Sequence, residues 1–289
     1  MAAASDIGSA SRARSLAEFG AALRLLRVEA GLSLRALAQR IGVSSAYLSR
    51  VEHGHDAIPT PDRLTAIASA LGLPPALLLE LGHQVEPLVA RYLERVPAAN
   101  ALFLDIARRR LTGPQLARVK AFIDAEFPPC APFGAASAQR LSALLTPERI
   151  VLHLSCAHLE DVIDVAASRL APPGGAIAAS ALAQEILRRE RESPTALGNG
   201  VAVPHAILPG ACPAAVLATL VEPLAVPTPG GAPLRLIAVI VSGEGGRAHL
   251  ELLAQVARLA IHDAADALCA AESPAQLIEQ LAQLEAGCG

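Results

Sequence analysis

The stretch Gly198-Asn199-Gly200-Val201-Ala202-Val203-Pro204-His205 joins a glycine-rich turn to a short apolar run that ends at a single histidine. Short apolar runs bounded by glycine and proline are typical of buried strands. A helical pattern from about Ile177 precedes the turn and ends in the charged run Arg188-Arg189-Glu190-Arg191-Glu192. The stretch therefore predicts a histidine at the end of a strand, preceded in the chain by a helix that ends in cations.

Strand and helix patterns alternate on both sides of this stretch. The predicted strands are 150–154, 201–203, 216–220 and 234–241, and the predicted helices are 159–170, 177–192, 247–261 and 274–287. Such alternation favours a layered α/β arrangement. We therefore expect residues 141–289 to form an α/β domain with a mixed sheet flanked by helices.

The N-terminal part of the chain is predicted to be all-helical over residues 18–82. Ser33 can cap one helix, Gly42 permits a tight turn, and Ser44 can cap a second helix that runs from Ser45 to His53. This spacing predicts a helix-turn-helix, although a plain helical bundle can also contain two helices around a glycine turn.

The second helix of the pair is predicted to read DNA. Leu48 and Val51 face inward by helical periodicity. The arginine can pair with a guanine edge or a phosphate, and the serines are short polar readers. The residues expected to contact DNA are Ser44, Ser45, Ala46, Tyr47, Ser49 and Arg50.

Three further segments complete the organisation. Residues 1–17 are rich in alanine and serine and are expected to be a disordered tail. Residues 83–127 read as a helical spacer in which Leu102, Leu116, Phe122 and Ile123 are among the positions expected to be buried. Residues 128–140 contain several prolines and are expected to be a linker.

Composition narrows the class of protein. The 289 residues are 53% hydrophobic and lack tryptophan, and no basic-then-apolar segment opens the chain, so we expect a cytoplasmic protein without membrane insertion. The five cysteines form no Cys-x-x-Cys pair, so we expect neither a metal site nor a redox site. Residues 141–289 hold 8 basic and 15 acidic residues, whereas residues 83–140 hold 8 basic and 5 acidic ones. This asymmetry fits a front half that faces nucleic acid.

The chemistry of the His205 segment suits phosphate. Neutral imidazole is a nucleophile toward phosphorus, and phosphoryl transfer mainly requires positioning and charge neutralisation. Backbone N–H groups of Gly198, Asn199 and Gly200 could cradle the phosphoryl oxygens, the Thr195 hydroxyl could donate to them, and Arg189 could share their charge. The alternatives are a structural histidine and a solvated Arg/Glu helix face.

Two resemblances to known families sharpen these expectations. Residues 25–38, 43–54 and 59–64 resemble the lambda-repressor-like (XRE-family) DNA-binding domain. The resemblance covers about residues 18–82 and implies five helices, with the second helix of the pair in the major groove. Many members carry glutamine where this chain has Leu34.

The second resemblance concerns the histidine. Residues 189–205 resemble the active-site segment of enzyme IIA proteins of the bacterial phosphotransferase system, of the fructose/mannitol type and its nitrogen-regulatory branch, and the similarity extends over about residues 141–287. It implies that His205 accepts a phosphoryl group, that Arg189 lies near it, and that His249 flanks it. Thr195 matches a family threonine, while Ala196 replaces the glycine that follows it. No cofactor beyond the phosphoryl group is implied.

Together these features suggest a transcriptional regulator that binds a double-stranded DNA operator, pairs as a homodimer and is phosphorylated on His205 by an HPr-like phosphocarrier. Whether the chain counts as an enzyme stays open. One alternative is a phosphotransferase component that passes phosphate to a permease. The other is a sensor module that is never phosphorylated.

Overall fold

The structure, a computed structural model, describes residues 2–82, 96–126, 140–171, 177–261 and 264–287. The chain divides into two compact units. One unit comprises residues 1–82 and 139–289, and the other comprises residues 83–138.

Five helices form the N-terminal part of the first unit. They are α1 (Ala2–Glu29), α2 (Leu34–Arg40), α3 (Ser45–Glu52), α4 (Pro61–Leu71) and α5 (Pro75–Leu81). The expectation of a disordered tail over residues 1–17 is wrong, because α1 begins at Ala2. Alanine is the strongest helix former, so the composition that suggested disorder also extends this helix.

The helix-turn-helix forms as its capping residues predict. The Ser33 hydroxyl accepts from the backbone N–H of Ala36, and the Ser44 hydroxyl accepts from that of Tyr47, both at 3.1 Å. Gly42 lies in the left-handed region with φ of 69°, which glycine adopts without a steric penalty. The apolar side chains of α2, α3 and α4 that the periodicity places inward lie in one buried cluster with those of α1.

The second unit contains α6 (Pro97–Arg109) and α7 (Gly113–Glu126). These confirm a helical spacer, although residues 83–95, at its start, and 127–139, which include most of the predicted linker, lie outside the described residues. Four apolar side chains that were expected to be buried are exposed by 40% or more: Leu102, Leu116, Phe122 and Ile123. Helical periodicity alone therefore overestimated burial at these four positions.

The C-terminal part of the first unit is a mixed sheet flanked by helices, as expected. Its strands are β1 (Ile150–Leu154), β2 (Ala196–Gly198), β3 (Val201–Ala202), β4 (His205–Ile207), β5 (Ala214–Leu224) and β6 (Leu234–Ser242). The order is β1-β5-β6-β3-β2, with β4 also paired to β6. The long β5 and β6 are antiparallel, whereas β1, β3 and β4 run parallel to their neighbours.

Helices cover both faces of this sheet. One face packs on α8 (Leu159–Leu170) and α9 (Ala179–Glu192). The other face packs on α10 (Arg247–Ile261), α11 (Ala264–Cys269) and α12 (Pro274–Gly287). The strands β2 and β4 are only three residues long and were not predicted, because so short a run carries little periodicity.

Helix α1 also belongs to the packing of the C-terminal part. It contacts α10, β2 and the turn at Pro229–Gly231. Phe19, Leu23 and Leu26 of α1 lie in one buried apolar cluster with Leu197 and Leu253. The two parts of this unit therefore share a continuous core. No helix among the described residues is both long and apolar enough to cross a membrane.

Candidate functional site

Two imidazoles meet at the end of the sheet. His205 opens β4, which pairs in parallel with β6, and His249 lies in the first turn of α10, just beyond the end of β6. Their ring centroids are 5.3 Å apart, and both residues are almost fully buried. The short connection between β6 and α10 thus places the second histidine beside the first.

The Nδ1 atom of each ring lies at hydrogen-bond distance from a residue in or next to a strand of the sheet. The Nδ1 of His205 lies 2.8 Å from the carbonyl oxygen of Val203, which can only accept, so Nδ1 carries a proton. In the neutral ring the lone pair is then at Nε2. The Nδ1 of His249 lies 2.9 Å from the Ser242 hydroxyl, at the end of β6. Both Nε2 atoms are buried without a hydrogen bond of regular geometry among the described residues.

A carboxylate from the helix-turn-helix occupies the space in front of these nitrogens. Glu29 is the last residue of α1, and its Oε2 lies 3.1 Å from the Nε2 of His205 and 3.5 Å from the Nε2 of His249. Its Oε1 forms an ion pair with the guanidinium of Arg189, in the last turn of α9. Arg189 also donates to the carbonyl of Ser193 at 3.1 Å. His205, His249 and Arg189 are therefore brought together around an anion.

The charge of Glu29 is set by these neighbours. Burial raises the pKa of its carboxyl group, but the two imidazoles and Arg189 outweigh burial and hold this pKa well below its ordinary range. The group is therefore ionised near neutral pH. The ionised carboxylate of Glu29 thus occupies the space between the two imidazoles and Arg189.

The other residues expected at the phosphate have partners elsewhere. The Thr195 hydroxyl donates to the Glu190 carboxylate at 2.6 Å. The Asn199 side chain donates to the carbonyl of Ala260 at 2.6 Å, and the Gly200 carbonyl accepts from Arg235 and Leu236 of the β6 region. Gly198 has a φ of 117°, and a Cβ there would overlap the Glu18 side chain of α1. A phosphate-binding role for this loop stays a prediction, but its contacts are with α1, the end of α10 and β6.

Sequence reasoning missed Glu29. One signal was available: the carboxylate is at the end of a helix, two residues before Gly31, where the helix dipole disfavours negative charge. Such a residue needs compensation from outside its helix. Glu29 receives it from three side chains that lie about 160 to 220 positions further along the chain.

The predicted DNA-reading residues share an open face. Ser44, Ser45, Ala46 and Arg50 are exposed, and Tyr47 and Ser49 are partly exposed. Arg50 forms an exposed ion pair with Asp56 at 3.0 Å, which raises the pKa of its guanidinium. Its head group would have to leave Asp56 to contact a base or a phosphate.

Helix α1, which ends at Glu29, also forms an ion pair with α3, the second helix of the helix-turn-helix and the predicted recognition helix. Arg27 of α1 makes two hydrogen bonds to the carboxylate of Glu52, at the end of α3, at 2.6 and 2.8 Å. The pair is buried, and Arg27 also donates to the carbonyl of Leu32 at 2.8 Å. The last turn of α1 therefore contacts both the histidine site, through Glu29, and the recognition helix α3, through Arg27.

Two family models match the chain. Residues 143–284 match the family described as the phosphoenolpyruvate-dependent sugar phosphotransferase system, EIIA 2, and residues 18–81 match the family described as a helix-turn-helix domain. The helix-turn-helix part is similar to the HTH-type transcriptional repressor RghR of Bacillus subtilis, with 39% identity over 74 residues, which are 25% of this chain and 55% of that protein.

The C-terminal part has curated relatives of two sizes. The PTS system 2-O-alpha-mannosyl-D-glycerate-specific EIIABC component of Escherichia coli is 33% identical over 146 residues, or 49% of this chain, but the match spans only 22% of that protein. The nitrogen regulatory protein of Pseudomonas aeruginosa is 30% identical over 122 residues, which are 42% of this chain and 79% of that protein. The chain therefore belongs to the phosphotransferase system EIIA 2 family, and it carries a helix-turn-helix domain ahead of its EIIA domain.

Proposed function

We propose that this protein is a DNA-binding transcriptional regulator whose EIIA domain accepts a phosphoryl group on His205 from a phosphocarrier of the phosphotransferase system. The observation that carries the proposal is the position of Glu29. A carboxylate of the DNA-binding part lies against His205, His249 and Arg189. Phosphorylation and the placement of the DNA-binding helices would therefore act on the same few atoms.

The acceptor atom is the Nε2 of His205. In the neutral ring the lone pair is at this Nε2, because Nδ1 donates to Val203. In the transfer, an N–P bond forms at this Nε2 while the bond between phosphorus and the donor's imidazole breaks. A donor ring that carries a proton on its other nitrogen leaves as neutral imidazole, and the His205 ring keeps its proton on Nδ1. Arg189 shares the charge of the incoming phosphoryl oxygens, and His249 lies close enough to donate to one of them.

The phosphoryl group and Glu29 compete for one space. Oε2 of Glu29 is 3.1 Å from the atom that would bear phosphorus, which leaves no volume for a phosphoryl group. A phosphoryl group adds roughly −1.5 to −2 charges, which would repel the carboxylate and attract Arg189. Because His205 is also almost fully buried by this arrangement, we propose that the end of α1 leaves the site when a donor binds.

Displacement of α1 would be passed to the reading helix. The buried Arg27–Glu52 pair joins α1 to α3, so α1 cannot move far without α3. The residues of α3 that are predicted to contact DNA are already exposed or partly exposed while Glu29 lies in the histidine site. The proposed effect is therefore a change in how the reading helix is placed, for instance within a pair of chains on a two-fold operator, rather than its uncovering.

Phosphorylation is tested by incubating the full chain with phosphoenolpyruvate, enzyme I and HPr. We expect about one heat- and acid-labile phosphate per chain, and none in His205→Ala. Glu29→Ala should be phosphorylated faster than the wild type, because the site is vacated. A wild-type chain that stays unlabelled while HPr is labelled would leave a sensor module that never carries phosphate.

A matched control distinguishes the effect of Glu29 in the histidine site from the effect of losing any contact between the helix-turn-helix and the EIIA domain. Glu80 of α5 pairs with Arg258 of α10 at 3.2 Å, so it also joins the two parts but lies outside the histidine site. Glu80→Ala should gain much less phosphorylation rate than Glu29→Ala. Equal gains would contradict direct competition between Glu29 and phosphate.

Coupling to DNA is tested with sequences selected from a random pool by the unmodified protein. Affinity for the selected DNA should differ between the two phosphorylation states by roughly fivefold or more, the usual lower bound for coupled sites. Unchanged affinity, together with transfer of the phosphate to a permease domain, would instead identify a phosphotransferase component.

A further inference from the structure

Three ligand atoms of the kind that bind metal ions converge in the histidine site. They are the two Nε2 atoms of His205 and His249 and Oε2 of Glu29, and all lie within 4.8 Å of one another. The three side chains are more than nine-tenths buried, and neither Nε2 atom has a regular hydrogen bond among the described residues. Two buried imidazole nitrogens and a carboxylate oxygen at these distances hold a cation or a proton between them.

Arg189 does not fill this need. Its guanidinium pairs with Oε1 of Glu29. Oε2 stays directed at the two rings. The arginine therefore orients the carboxylate and leaves one oxygen for a ligand between the rings.

The separations suit zinc. A tetrahedral Zn²⁺ with bonds of about 2.0–2.1 Å places neighbouring ligand atoms about 3.3 Å apart. The two distances from Oε2 are 3.1 and 3.5 Å, on either side of that value. Two histidines with one glutamate is a known zinc ligand set that leaves a fourth position for water.

The surroundings of the rings also suit a metal. A histidine that binds metal through one nitrogen usually donates its other N–H to a carbonyl or another acceptor, which orients the ring. The Nδ1 of His205 donates to Val203, and the Nδ1 of His249 lies at hydrogen-bond distance from the Ser242 hydroxyl. The sheet thus supports the rings in the manner that a metal site needs.

We propose that His205, His249 and Glu29 bind one zinc ion that bridges the EIIA domain and the helix-turn-helix domain. This differs from the expectation of no metal site, which rested on the scattered cysteines and did not consider a nitrogen and oxygen site. The proposal goes beyond the proposed function, because it needs the docked position of Glu29 but no phosphorylation. Bound zinc occupies the Nε2 of His205, so zinc and a phosphoryl group exclude each other.

The test titrates metal-free full-length protein with zinc chloride in the presence of a competing chelator. We expect one ion per chain, with affinity lowered about 100-fold or more in His205→Ala and His249→Ala and at least about tenfold in Glu29→Ala, since loss of even an orienting partner costs about 10–100-fold. Cys212→Ser, which removes an exposed thiol, is the control and should bind as the wild type does.

A second measurement covers variants that fold poorly. At the same zinc concentration, the thermal midpoint of the wild type and of Cys212→Ser should rise by more than that of Glu29→Ala, whose substitution lies at a helix end. Stoichiometric binding that survives in both histidine variants, or binding by the wild type no tighter than by them, would overturn the proposal and leave a shared proton between the rings.

The two proposals fail separately. With the chelator in excess over zinc, and magnesium supplied for enzyme I, phosphorylation of His205 needs no zinc. A chain that accepts phosphate but binds no zinc overturns the metal site alone, and a chain that binds zinc but accepts no phosphate overturns the proposed function alone.

Discussion

At the scale of single residues, two buried ion pairs lie at the same end of α1. Arg27 pairs with Glu52 inside the helix-turn-helix, and Glu29 pairs with Arg189 of the EIIA domain. A buried charge is tolerated only with a partner, and removal of one partner is costly. Arg27 and Glu29, two positions apart, thus anchor one end of α1 to the helix-turn-helix and to the EIIA domain.

The first pair gives a prediction on stability. Arg27→Ala should lower the free energy of unfolding by about 3–5 kcal/mol, because it leaves the Glu52 carboxylate buried without its partner. Urea denaturation followed by circular dichroism measures this change. Arg50→Ala removes an exposed pair and should leave the denaturation midpoint where it is. Similar losses in both variants would contradict a special role for the buried pair.

At the scale of elements, α1 packs closely on the recognition helix. A Cβ at Gly20 would lie 2.5 Å from the backbone oxygen of Val51 and 2.6 Å from that of Glu52. Backbone atoms cannot turn aside as a side chain can. The spacing between α1 and α3 therefore depends on the absence of a side chain at residue 20.

A larger residue at this contact should separate the helices. Gly20→Ala is expected to destabilise the protein by about 1–3 kcal/mol, as overpacking usually does. Gly113→Ala is the matched control, because the first residue of α7 has open space around its Cβ and should tolerate alanine with no loss. Differential scanning calorimetry would show the difference, and equal midpoints for the two variants would refute the close contact.

The recognition helix itself gives a paired prediction. Arg50→Ala should weaken DNA binding roughly tenfold or more, the usual scale for loss of a good base contact, and leave phosphorylation of His205 unaltered. Asp56→Asn should strengthen binding, because it frees Arg50 from its carboxylate. Fluorescence anisotropy with selected DNA measures both. Equal binding by wild type and Arg50→Ala would show that another side chain reads the DNA.

At the scale of the whole molecule, the contact between the helix-turn-helix and the EIIA domain buries apolar and charged groups together. Besides the Glu29 contact, the two parts share the apolar core of α1 with Leu197 and Leu253 and the Glu80–Arg258 pair. Loss of the Glu29 contact removes its ionic part but leaves the apolar part. Phosphorylation should therefore loosen the contact locally before it separates the domains.

Hydrogen exchange on the full chain tests this order. Phosphorylated protein should exchange faster at the backbone amides of residues 27–32 and 197–203 than unmodified protein, because the end of α1 has left the site. Helix α8, on the far face of the sheet, should exchange at the same rate in both forms and serves as the internal control. Identical exchange at residues 27–32 would contradict displacement of α1.

Local patterns determined much of this protein. Ser33, Gly42 and Ser44 specify the helix-turn-helix because caps and turns depend on a few adjacent residues. The apolar runs of β5 and β6 and the stripes of α8, α9 and α10 specify a layered domain. The residues from Arg189 to His205 carry the family pattern on which the proposal for His205 rests. The sequence was wrong about disorder in the first seventeen residues, because alanine content does not separate a helix from a disordered tail. It was also wrong about burial in the spacer, because helical periodicity does not show whether a face is covered.

Only the tertiary structure decided what faces His205. Glu29 is about 176 positions away along the chain, and its part in the site depends on the packing of α1 against α10 and β2. Burial and pairing are properties of the assembled core, and no local pattern encodes which distant charge will compensate an acid at a helix end. For the same reason, the convergence of three ligand atoms on one point could not be read from sequence spacing.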